Sequence, residues 1–199
     1  MPYYLRVLST SAECVPLDTL RSDLQDHVLV EEPSTQPGGW ENLLLSHADG
    51  GEIAVIERNP VVTPDSPASA EIEEFATEIR DCMPTSAADW LLQYFQRVRC
   101  IYALQILSEV ERDGGWDCVR AIQSTLWNFA PSILQADNEG FTNEDGYHIL
   151  WQFRDSVHGA WWMGVLQAGT WMHFQMDLSN IQHRQAFLQG TIPDGVIPR

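Results

Sequence analysis

The sequence predicts an α+β fold with an N-terminal βαββ lobe, a central helical layer, and a C-terminal three-stranded antiparallel meander followed by a helix. Three observations carry that reading. Short apolar runs separated by turn residues open the chain, as in "ENLLLSHADGGEIAVIE". Helical spacing with recognisable caps follows a proline-rich break at "NPVVTPDSP". Two-residue alternation then takes over in "GAWWMGVLQAGTWMHFQMDLS". The 199 residues suffice for a sizeable core and read as a single domain with lobes at 1–63, 64–131 and 132–199.

In the first lobe, residues 3–8 have strand composition, and Pro16 opens a short helix with Leu17, Leu20 and Leu24 at helical spacing. Residues 28–30 form a second strand. Residues 43–45 and 53–56 make a hairpin around Asp49, Gly50 and Gly51. Their unalternating apolar character predicts a sheet covered on both faces.

Three helices are expected next. The first has Ser66 as N-cap and Pro67 at its first position, with Ile72, Phe75, Ala76, Ile79 and Met83 on one stripe. A long second helix follows Pro84, carries Trp90, Leu91, Tyr94, Phe95, Val98, Ile101 and Tyr102, and stops at Asp113, Gly114 and Gly115. The third runs from about Trp116 to Phe129, ahead of Pro131. The meander comprises residues 147–153, 160–166 and 171–178. Ser179 then caps a final helix through the spacing Ser179-x-x-Gln182, and Gly190 closes it.

Alternation sorts the meander into two faces. Ile149, Trp151, Phe153, Trp161, Met163, Val165, Met172, Phe174, Met176 and Leu178 form the core face. The other carries His148, Leu150, Gln152, Trp162, Gly164, Leu166, Trp171, His173, Gln175 and Asp177. A tight turn at Ala168 and Gly169 places Gly164 opposite His173, with Leu166 beside Trp171 and Trp162 beside Gln175. A glycine between bulky neighbours predicts a notch. Trp162, Trp171, His148, His173 and Gln175 are therefore the candidate binding residues, since aromatic walls with a few polar groups make small-molecule sites. The alternative is that the face packs against other elements, with both histidines as satisfied interior groups.

Charge narrows the partners. The formal net charge is −17, all eleven basic residues are arginine, and 25 of the 28 acids lie in residues 1–146. The last three acids, Asp155, Asp177 and Asp194, balance three arginines. Nucleic acid and anionic membranes are excluded as expected partners, and the absence of lysine excludes Schiff-base chemistry and a P-loop. Glu71, Glu74, Glu78 and Asp81, with Glu73 on the same helix and Asp18, Asp23 and Asp26 on another, form an acidic surface suited to a basic protein partner. Solubility alone would also explain it.

Other chemistry is sparse. The run "ADNEGFTNEDGYH" concentrates Asp137, Glu139, Glu144 and Asp145, but an EF-hand register started at Asp137 puts Thr142 sixth and His148 twelfth, where Gly and Glu are required. It reads as a polar loop, with an irregular calcium site as the alternative. A carboxylate pair for glycoside hydrolysis has no distinctive placement. Cys118, beside Asp117 near a helix start, is a candidate low-pKa thiol against the commoner buried, inert cysteine. The four dispersed cysteines, with no secretory leader, point to free thiols in the cytoplasm, and neither a metal nor a cofactor is expected. The sequence thus favours a non-enzymatic binding or protein-interaction module. The alternative is a small hydrolase or ligand-binding enzyme with its site where the 137–148 loop meets the Trp162/Trp171/His173 face.

Overall fold

The computed structural model describes residues 3–22, 24, 27–31, 39–154 and 156–199 and shows a mixed α+β protein. In chain order its elements are β1 (Tyr3–Ser9), α1 (Leu17–Arg21), β2 (Val28–Glu31), β3 (Asn42–Ser46), β4 (Glu52–Pro60), α2 (Pro67–Glu78), α3 (Thr85–Phe95), β5 (Cys100–Ile106), α4 (Gly115–Phe129), β6 (Ser132–Ala136), β7 (Gly140–Phe141), β8 (Ala160–Gln167), β9 (Thr170–Asp177) and α5 (Ile181–Leu188). They fall into two compact units, Met1–Ser69 with Val98–Ser132 and Ala70–Arg97 with Ile133–Arg199.

The first unit is built on antiparallel strands in the order β2-β3-β4-β5-β1. The expected hairpin is present: Leu43 pairs with Ile56 and Leu45 with Ala54, and the register shifts after Leu45. Its centre is β5, paired with β4 on one side and β1 on the other, so that Leu104 faces both Ile56 and Leu5. This corrects the long second helix. α3 ends at Phe95, and Ile101 and Tyr102 belong to a strand. The run from Cys100 to Leu104 is buried throughout, and a continuous apolar run fits an interior strand as well as it fits a helix. Two flanking strands satisfy its backbone on both edges, which decides between them. The third helix appears as expected in α4, whose buried stripe is Cys118, Val119, Ile122 and Leu126.

The second unit gathers α3, most of α2, the β6–β7 and β8–β9 hairpins, and α5. At the start of α2, the Ser66 hydroxyl accepts from the Ser69 N–H at 3.3 Å, as its cap position predicts. Phe75 and Ile79 are buried, whereas Met83 lies beyond the helix and is exposed. Phe75, Phe95 and Phe141 form an aromatic cluster with centroids 5.4–6.4 Å apart.

β8 and β9 pair in the expected register, including Gly164 with His173 and Met163 with Phe174. Ala168 and Gly169 both have positive φ, 49° and 80°, matching a two-residue turn to the twist of its strands. Beneath them Phe153, Met163, Val165, Phe174, Met176, Leu178 and Phe187 make one buried cluster, with Trp151, Trp161, Met172, Ile192 and Val196 packed around it.

Residues 147–153 are not the first strand of an antiparallel meander. They make isolated bridges, and the one between His148 and Met163 is parallel. The His148 N–H donates to the Trp162 carbonyl at 3.0 Å, and the Gly164 N–H donates to the His148 carbonyl at 2.8 Å. Further along, the Trp151 N–H donates to the Met83 carbonyl. The segment thus meets β8 at a single residue before its bonds go elsewhere.

Helix α5 is capped one residue later than expected. The Asn180 side chain accepts from the N–H groups of Gln182 and His183 at 2.9 and 3.2 Å. The Ser179 side chain is already committed to the Asp177 carboxylate, to which the Ser179 N–H also donates at 2.8 Å. Among the described residues no helix is long and apolar enough to cross a membrane.

Candidate functional site

The acidic run contains two turns. Asp137, Asn138 and Glu139 join β6 to β7, with Asn138 at φ 67° and Gly140 at φ 87°. Residues 143–146 form the second, organised by a side chain that is fully buried, Asn143. Its Oδ1 accepts from the N–H groups of Asp145 and Tyr147 at 3.1 and 3.0 Å. Those two donors fix the amide's orientation and turn its NH₂ toward His173 Nε2, 3.1 Å away. Nε2 is therefore the acceptor, and the neutral ring carries its proton on Nδ1.

The Tyr147 ring lies flat on His173, with centroids 3.7 Å apart and planes within 2°. This fills the notch over Gly164: a Cβ there would meet Tyr147 Cβ and His173 Cδ2 at 3.4 Å. Burial holds the His173 pKa below the ordinary imidazole value, against the pull of the Asp145 carboxylate 3.5 Å from Nε2. Glu144, the neighbouring acid, instead faces Arg97 at 3.8 Å. The acids of the run thus have separate tasks, and among the described residues no three metal-ligating side chains converge.

The five candidate binding residues do not share one site. His148 lies on the side of the core, its ring 4.8 Å from Trp161 and 5.2 Å from Phe153. The cause is register: His148 pairs with Met163, so Tyr147 and Ile149 take the face expected for His148 and Leu150. Burial pushes the His148 pKa down to about 4. Trp171 packs edge-on against Trp90 of α3, 5.2 Å away. Trp162 and Gln175 do come together, opposite one another on β8 and β9.

These two line a cavity of about 510 Å³ with Asp177, Met176, His183 of α5 and the segment 195–199. Trp162 is 41% exposed, so its ring is open to a ligand. The Arg199 guanidinium sits 5.3 Å from its ring centroid. His183 presents a buried Nδ1 with no hydrogen-bond partner. The Asp177 carboxyl is held below its ordinary pKa, first by the Ser179 N–H and less by nearby His183. The wall therefore combines an indole face, a carboxylate, an amide and an imidazole ring.

Asn143, Tyr147, His183 and Arg199 were missed as site residues. Only Asn143 left a local signal, since an Asn two positions before Asp-Gly is turn chemistry. On the acidic surface, Glu73, Glu74, Glu78 and Asp81 are exposed, Glu71 is half-buried, and Asp23 and Asp26 lie outside the described residues. The low-pKa thiol is overturned. Burial, and then Asp117, pushes the Cys118 pKa up.

No protein-family model, curated protein or solved structure matches this chain.

Proposed function

We propose that this is a non-enzymatic binding protein whose ligand site is the cavity between the outer face of β8–β9, α5 and residues 195–199. The observation that carries the reading is the convergence of Trp162, Gln175, Asp177 and His183 on one space of about 510 Å³. That size lies within the range of ligand pockets, and the mixture of an aromatic wall with a few oriented polar groups is their usual chemistry. The exposed acids of α2 give the same protein an attraction for basic partners that salt weakens. The four free cysteines accord with a reducing compartment such as the cytoplasm.

The hydrolase reading draws on the His173–Asp145 contact. In this arrangement, however, His173 is covered by Tyr147 and bonded to Asn143, which suits a structural role better than proton transfer.

The test is a small-molecule screen read by the indole N–H resonances of the tryptophans. A ligand of the cavity shifts the Trp162 resonance saturably, leaves Trp90 unmoved, and loses affinity in His183→Ala. If no compound at millimolar concentration moves Trp162, the cavity is not a binding site.

A further inference from the structure

We propose that the cavity and the free edge of β9 recognise an extended peptide segment bearing an arginine, and that the chain's own residues 196–199 hold that position as an internal stand-in. This deepens, and rests on, the binding reading above.

The tail shows how such a segment docks. Pro198 pairs antiparallel with Phe174 on the edge of β9 that β8 leaves open. The Arg199 N–H donates to the His173 carbonyl at 2.8 Å. Two residues before Pro198, Val196 packs on the core cluster, while Ile197 between them points outward and is 86% exposed. This alternation of an inward and an outward side chain along a sheet edge is β-strand addition, where main-chain bonds give affinity and pockets for alternate side chains give specificity.

Charge selects the terminal side chain. The Arg199 guanidinium lies over the Trp162 ring, an arrangement in which the indole face attracts a cation. The exposed carboxylate of Asp177 lines the same cavity. A segment of the form apolar-x-Pro-Arg from a basic partner reproduces each contact. The internal copy competes at the high effective concentration of a tethered ligand, so that an outside segment binds appreciably only when the tail is weakened or the partner is abundant.

The experiment uses the 199-residue chain with Arg199→Ala, an exposed position whose replacement leaves the core untouched. The probes are two fluorescein-labelled pentapeptide amides, Gly-Val-Ile-Pro-Arg and Gly-Val-Ile-Pro-Gln, followed by anisotropy. Arg199→Ala should bind the arginine peptide saturably, about tenfold more tightly than the glutamine peptide and about tenfold more tightly than the parent chain binds it. Adding Trp162→Leu, which keeps apolar bulk but removes the ring, should erase the preference for arginine while circular dichroism stays unchanged. Equal binding of the two peptides, or a preference indifferent to Trp162→Leu, overturns the proposal. So does concentration-dependent dimerisation of the parent chain that Arg199→Ala abolishes, because the edge would then belong to a second copy. If the peptides fail while small molecules still shift Trp162, the peptide specificity alone falls; if both fail, the site falls with it.

Discussion

Asn143 shows how one side chain can set the chemistry of another thirty residues away. Its Oδ1 closes a turn on two backbone N–H groups, so its amide must donate to His173. Replacing it with Ala takes the acceptor from two part-buried N–H groups and should cost about 1–3 kcal/mol, read as a shift of the urea midpoint. Asn143→Asp probes the same contact electrically. A carboxylate facing Nε2 favours the protonated ring, so the His173 pKa should rise by about one to three units in an NMR titration. An unchanged titration would mean that the ring does not sense position 143. The turn itself was legible in "NEDGY", where Asn precedes Asp-Gly. Its pairing with His173 was not, because nothing local specifies a partner on β9. The glycine notch failed for the same reason: Gly164 was placed correctly in register, but the ring that fills it comes from Tyr147, on a segment whose direction the pattern misassigned.

At the scale of elements, the hairpins were the most legible. Turn length, glycine placement and the alternation of core residues agree in β8–β9, and the observed register matches the expected one at every pair considered. β5 was hidden because burial on both faces removes alternation, the one feature that separates a strand from a helix over seven residues. The cap of α5 offers a clean test, because two adjacent residues compete for it. Asn180 accepts from two N–H groups of the first turn, whereas no bond from the Ser179 hydroxyl to a helix N–H is present. Asn180→Ala should therefore destabilise the protein by about 1 kcal/mol, while Ser179→Ala stays within about 0.5 kcal/mol. Equal losses in thermal melts would restore the cap position expected from the capping-box spacing. The outcome bears on function, since His183, which lines the cavity, stands on that first turn.

For the whole molecule, two effects of acid oppose one another, and a paired comparison separates them. Lowering the pH toward the sequence pI of about 4.4 relieves the repulsion of a chain that carries −17 at neutrality, which favours the folded state. His148 pulls the other way. Above its ordinary value of 6.5 it is neutral whether folded or unfolded, and its environment costs nothing. Below 6.5 the unfolded chain takes up a proton that the folded protein, with its value near 4, still refuses. Stability is therefore lost across the window from 6.5 to 4, by roughly 1.4 kcal/mol per pH unit and about 3 kcal/mol in all, and changes no further on this account below it. Phe at position 148 keeps a ring against Trp161 and Phe153 without the titration. All the carboxylates remain in His148→Phe, so the difference between the two pH–stability curves isolates the histidine. The curves should run parallel above pH 7 and diverge below it, with the parent losing ground. Parallel curves down to pH 4 would show that the His148 ring is protonated in the folded state as readily as in water.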